Sequence, residues 1–74
     1  MAVRQTFSGR ALRARRKQLK LSRDALGWAV GRTYSSITNY ERGVTTPSGE
    51  VIARLAETLE CSPNDLFEKN GHGA

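Results

Sequence analysis

Seventy-four residues make one small domain, and a single cysteine, Cys61, with a single histidine, His72, excludes an intramolecular disulfide and leaves too few soft ligands for a structural zinc site. No apolar run approaches the roughly 20 residues that span a bilayer, and the N-terminus has no signal-peptide core, so a soluble, cytoplasmic chain is expected. Ten of the twelve basic residues precede Gly43, with two of the seven acidic ones, so the first 42 residues carry +8 and the rest −3, a polarity suited to an anionic partner.

Residues 1–7 show no periodicity and are expected to form a flexible arm. The first helix begins at Ser8, whose hydroxyl can cap a free N–H, with Phe7 and Leu12 in the positions of a hydrophobic staple. Leu12 and Leu19 give this helix a thin apolar stripe, and its remaining surface is basic or small, to about Lys20. Ser22 caps a second helix in which Leu26, Ala29 and Val30 share an inward face while Asp24 and Trp28 point away. Gly31 ends it in the left-handed conformation that costs glycine least.

Thr33 then caps a third helix, Tyr34 to Glu41, with Ile37 and Tyr40 inward, Ser35, Thr38 and Asn39 outward, and Tyr34 at its leading edge. So few residues separate the second and third helices that they must cross steeply. The third helix lies on the surface with a polar outer face that is free to enter a groove. GVTTP, ending at Pro47, is a loop, and Ser48 caps a fourth helix with a broad stripe of Val51, Ile52, Leu55, Ala56 and Leu59 opposite Glu50, Arg54 and Glu57. Ser62, Pro63 and Asp65 open a fifth short helix that closes with Leu66 and Phe67. Residues 69–74 read as a disordered tail. The expected fold is all-α, with five helices, no strand, and one ordered domain over residues 8–68.

The segments LRARR, LSRDAL, VG, SSITNYERG, Pro47 and LAETLECSPNDLF, in this order and spacing, resemble the XRE-like helix-turn-helix family of phage repressors and Cro proteins from about Arg10 to Phe67. The resemblance implies a five-helix lambda-repressor-like DNA-binding domain with the helix-turn-helix at helices two and three. In such proteins the second helix of the motif lies in the major groove of duplex DNA and the preceding one crosses the backbone. Carried over by position, Tyr34, Ser35 and Asn39 are the base-contacting residues, with Thr38 beside them as a further base contact: Asn can pair with adenine, Ser can donate or accept, and Tyr can meet a thymine methyl. Arg10, Arg13, Arg23, Arg32, Thr33, Arg42 and Thr45 are the phosphate contacts. Arg16 and Glu41 are expected to form a partly shielded structural salt bridge. A homodimer is implied, with Leu59, Cys61, Pro63, Asn64 and Phe67 as its face, on a near-palindromic operator with half-sites about 34 to 36 Å apart.

This chain departs from the family at several positions. Arg23 replaces a common glutamine, Gly27 a usual alanine, and Lys20 and Glu60 stand where glycine is frequent, which implies strained or differently closed helix ends. Trp28 is expected either to pack under Arg32 as a cation–π pair or to mark a protein partner. The second choice gives the alternative of an antitoxin or other interaction module that binds a protein as well as DNA. RNA binding ranks third, because no aromatic sheet surface is available to stack bases. No enzyme is expected, since Cys61 has no base nearby in sequence and His72 lies in the tail; no metal or cofactor is implied.

Overall fold

The computed structural model of the protein describes residues 4–70. Its elements are strand β1 (Arg4–Phe7), helices α1 (Gly9–Gln18), α2 (Arg23–Val30), α3 (Tyr34–Arg42) and α4 (Gly49–Thr58), a single 3-10 turn (Pro63–Leu66) and strand β2 (Phe67–Asn70). Each α-helix starts where its N-cap hydroxyl predicted: Ser8, Ser22, Thr33 and Ser48 accept from the backbone N–H of Ala11, Ala25, Ser36 and Val51.

The expectation of five helices and no strand is corrected at the C-terminal end. Ser62 and Asp65 form a full capping box with Pro63 behind the cap, yet the helix closes after one 3-10 turn because Phe67 is already extended, at φ −118° and ψ 153°. From there β2 runs antiparallel to β1 with Phe7 opposite Phe67, and their rings meet edge-on at 6.2 Å. A bond from Ser8 N–H to Leu66 O, 2.7 Å, ties the ribbon to the start of α1. Part of the expected arm is therefore a strand, and Lys69 and Asn70 of the expected tail complete its partner. Residues 1–3 of the arm and 71–74 of the tail, including His72, lie outside the described residues.

The core is built from Leu12, Leu26, Val30, Ile37, Tyr40, Val51, Ile52, Leu55, Ala56, Leu59 and Leu66, with Phe7, Leu19, Leu21, Cys61 and Phe67 packed around it. The α4 stripe is buried along its whole length as predicted. In α2 the buried arc runs from Leu26 through Val30 to Gly27, which leaves Ala29, expected inward, on the exposed side.

Lys20 and Glu60 both adopt left-handed backbone, at φ 59° and 56°, where α1 and α4 end. Leu21 N–H and Cys61 N–H then reach back to Arg16 O and Ala56 O, so each helix closes with the turn that glycine would ordinarily make. The α4 end is further held by Arg15, whose Nε donates to Leu59 O at 2.9 Å and whose Nη2 donates to Glu60 O at 3.1 Å.

Candidate nucleic-acid interface

Three close backbone approaches place α3. Gly31 turns the chain at φ 73°, and Arg32 N–H donates to Gly27 O at 2.7 Å. A Cβ on Gly27 would stand 2.6 Å from Arg32 O, so the absent side chain is what lets the turn fold back onto α2. At the other end a Cβ on Gly9 would lie 2.4 Å from Tyr40 O and 2.5 Å from Glu41 O, so the first turn of α1 abuts the last turn of α3 directly. Helix α3 is thereby clamped at both ends by backbone.

Within α3, Ile37, Tyr40 and Glu41 are buried, which directs Ser35, Arg42 and Asn39 toward the opposite side; Ser35 and Arg42 are exposed and Asn39 is half-buried. Thr38 sits beside the buried stripe, about 60° round the helix from Glu41 at 100° per residue. It is half-buried and its Oγ1 is enclosed, without a hydrogen-bond partner among the described residues, which corrects the expectation that its hydroxyl faces outward with Asn39. Thr33, expected at a phosphate, already spends its Oγ1 on Ser36, accepting from its N–H and donating to its hydroxyl.

The expected ion pair forms. Arg16 Nε and Nη2 donate to Glu41 Oε2 and Oε1 at 2.5 and 3.2 Å, both side chains are buried, and Arg16 Nη1 donates to Leu21 O at 2.8 Å. Sequence reasoning missed that Glu41 serves a second guanidinium. Arg23 Nε donates to Glu41 Oε1 at 3.1 Å, its Nη1 donates to Tyr34 Oη at 3.4 Å, and its guanidinium carbon stands 5.9 Å from the Tyr34 ring centre. The bond to Tyr34, then that to Glu41, raises the Arg23 pKa above its ordinary value. Arg23 is 18 residues from Glu41, so no helical spacing announces this contact.

Arg10, Arg13, Arg32, Arg42 and Thr45 are exposed. The Trp28 side chain, 88% exposed, does not gain Arg32 as a partner; among the described residues the cation–π pair is Arg23 over Tyr34. On the expected dimer face, Pro63 and Asn64 are exposed, Cys61 and Phe67 are half-buried, and Leu59 is fully buried. Leu59 is therefore a core residue at the end of α4 and is removed from that face. Burial, then the Asp65 carboxylate, pushes the Cys61 thiol pKa up, and Arg15 partly opposes them. Among the described residues no three His, Cys, Asp or Glu side chains come together as metal ligands, and no helix is long and apolar enough to cross a membrane.

Comparison with known proteins gives a consistent likeness. The family described as "Helix-turn-helix domain" matches residues 9–68. Repressor protein C2 of Salmonella phage P22 is 43% identical over 60 residues, which is 81% of this chain and 28% of the repressor. The HTH-type transcriptional regulator DicA of Escherichia coli is 33% identical over 63 residues, 85% of this chain and 47% of that protein. The chain thus spans about a quarter to a half of the length of these curated relatives. Among solved structures, the P22 c2 repressor protein in complex with a synthetic operator superposes with a TM-score of 0.78 at 43% identity, covering 82% of this chain and 92% of that one.

Proposed function

Since the chain belongs to the helix-turn-helix domain family, we propose that it is a sequence-specific, double-stranded-DNA-binding transcriptional regulator that lays α3 in the major groove. The observation that carries this reading is a helix fixed by Ile37, Tyr40 and Glu41 on one side that presents Ser35, Asn39 and Arg42 on the other, with no large apolar residue among those outward positions. Asn39 and Ser35 read base edges with Tyr34 at the leading end, while Arg10, Arg13, Arg32, Arg42 and Thr45 hold phosphates. Two copies bind a near-palindromic operator, since one short recognition helix reaches few base pairs. Pro63 and Asn64, with the edges of Cys61 and Phe67, supply the contact between copies. The likeness to a repressor solved on operator DNA supports the same reading.

Selection of bound sequences from a random duplex pool tests it. Asn39→Ala is expected to relax preference at one base position and cost about 1 to 3 kcal/mol on the preferred sequence. Absence of discrimination between duplexes at every ionic strength would overturn the reading. A second reading, an interaction module such as an antitoxin, draws on the exposed Trp28. Quenching or shift of Trp28 fluorescence by a co-purifying protein, retained by an Asn39→Ala variant, would favour it.

A further inference from the structure

We infer that, in the free protein, Trp28 of one copy docks into a groove between α1 and the 3-10 turn of a second copy and joins the two head to tail. Neither surface includes the outward side chains of α3.

Trp28 is the one tryptophan of the chain and is 88% exposed. Covering an aromatic ring removes about 150 to 250 Å² from water, so a bare indole gains much from a pocket that fits it. Ala25 and Ala29, both exposed, flank it on α2, and such small neighbours let another chain come close. Asp24 stands one turn before it and Arg32 four residues after it, both exposed. Arg54 Nη1 passes 3.7 Å from the place of a Cβ on Gly31, which adds a second cation at the C-terminal end of α2.

The groove encloses about 350 Å³, within the range of small-molecule pockets and enough for an indole. Ala11, Ala14, Cys61 and Leu66 give it an apolar lining, while the exposed Glu60 and Asp65 stand on the wall made by the end of α4 and the turn. On the α1 wall Arg15 is held by neutral oxygens, donating to Leu59 O at 2.9 Å, Gln18 Oε1 at 3.0 Å and Glu60 O at 3.1 Å. A ring seated there gains a fixed cation beside it. The groove thus has its cation on one wall and its carboxylates on the other, and Trp28 has a carboxylate before it and cations after it. With α2 laid across the groove the signs are opposed at both ends.

Trp28 is exposed while α2 packs against α3 and α4, so a chain does not fill its own groove. Because indole and groove are different surfaces, the contact is heterologous, and each copy at an end keeps one of them free. The groove shares only Cys61 with the contact between operator-bound copies proposed above, so the two interfaces are distinct.

The lone indole makes the test optical. Trp28 emission and its quenching by acrylamide are followed as the protein is concentrated to about 1 mM without duplex, a range that populates weak contacts. The unaltered protein is compared with Ala14→Arg, which obstructs the groove from an exposed position, and Trp28→Ala, each first shown by thermal unfolding to be folded. The unaltered emission is expected to shift to the blue and lose accessibility to acrylamide, and Ala14→Arg to need at least about tenfold more protein for the same shift. Titrating Ala14→Arg, which keeps its indole, with Trp28→Ala, which keeps its groove and emits nothing, should restore the shift, although neither variant makes the contact with itself. An unaltered protein whose emission is indifferent to concentration would overturn the docking. A shift that survives Ala14→Arg, or that Trp28→Ala fails to restore, would place the indole elsewhere and overturn it as well.

Discussion

Glu41 is one carboxylate serving two arginines of different kinds. Arg16 is buried with it, and Arg23 reaches it from the surface. Removing Glu41 strands the Arg16 guanidinium in the interior with Leu21 O as its remaining acceptor, and breaking a buried pair in this way costs about 3 to 5 kcal/mol. Removing Arg16 leaves Glu41 with the Arg23 Nε–H, so its charge stays compensated. Glu41→Ala is therefore expected to lower the urea midpoint more than Arg16→Ala does. Equal losses from the two would show that Arg23 contributes nothing to holding the carboxylate. The ion pair itself was legible from the family resemblance, because arginine and the glutamate of ERG occupy matched positions. The second arginine was not, because the family commonly carries glutamine at that position, so no matched ion pair announces the contact with Glu41.

At the scale of elements, α2, α3 and α4 were written in the local sequence, apart from Ala29, expected inward and found exposed, and Thr38, whose hydroxyl is enclosed. Their caps are hydroxyl residues, their stops are Gly31 and Gly43 in left-handed backbone or a glycine-like turn, and their inner stripes follow the helical period. Two glycine questions have opposite answers. Gly27 looks like a propensity defect in mid-helix, and alanine there would ordinarily add about 0.8 to 1 kcal/mol of helix stability. The 2.6 Å approach of its missing Cβ to Arg32 O reverses the sign: Gly27→Ala is expected to destabilise the domain and displace α3, seen as a lowered melting temperature together with weaker duplex binding. At Lys20 and Glu60 the backbone already has the geometry of glycine, so Lys20→Gly and Glu60→Gly should each stabilise by about 0.5 to 1 kcal/mol, after the entropy of a freer unfolded chain is deducted. A fall in the urea midpoint of either variant would contradict this. The terminal ribbon escaped sequence reasoning because four-residue strands carry too short a pattern to register, and each has its partner at the other end of the chain.

Over the whole molecule the charge is divided unevenly between the two halves of the chain. The basic half holds the exposed Arg10, Arg13, Arg32 and Arg42, while Glu50, Glu57, Glu60 and Asp65 lie on the other. Each phosphate neutralised on duplex DNA contributes a slope of about −0.9 to affinity against salt on logarithmic axes. Arg42→Ala is expected to reduce that slope by about one per bound copy and to weaken all sequences alike, whereas Glu57→Gln should leave it unchanged. A slope indifferent to Arg42 would remove it from the phosphate contacts.

The sequence by itself determined the four α-helices, the charge polarity and the outward placing of Ser35 and Asn39 on α3, because caps, periodicity and net charge are properties of neighbours in the chain. Only the tertiary structure decided that Arg23 meets both Glu41 and Tyr34, that Leu59 belongs to the core, that Gly27 is a contact surface, and that residues 4–7 and 67–70 pair as strands. Each of these is fixed by groups brought together across the fold at distances of a few ångströms, and spacing along the chain carries no record of such distances.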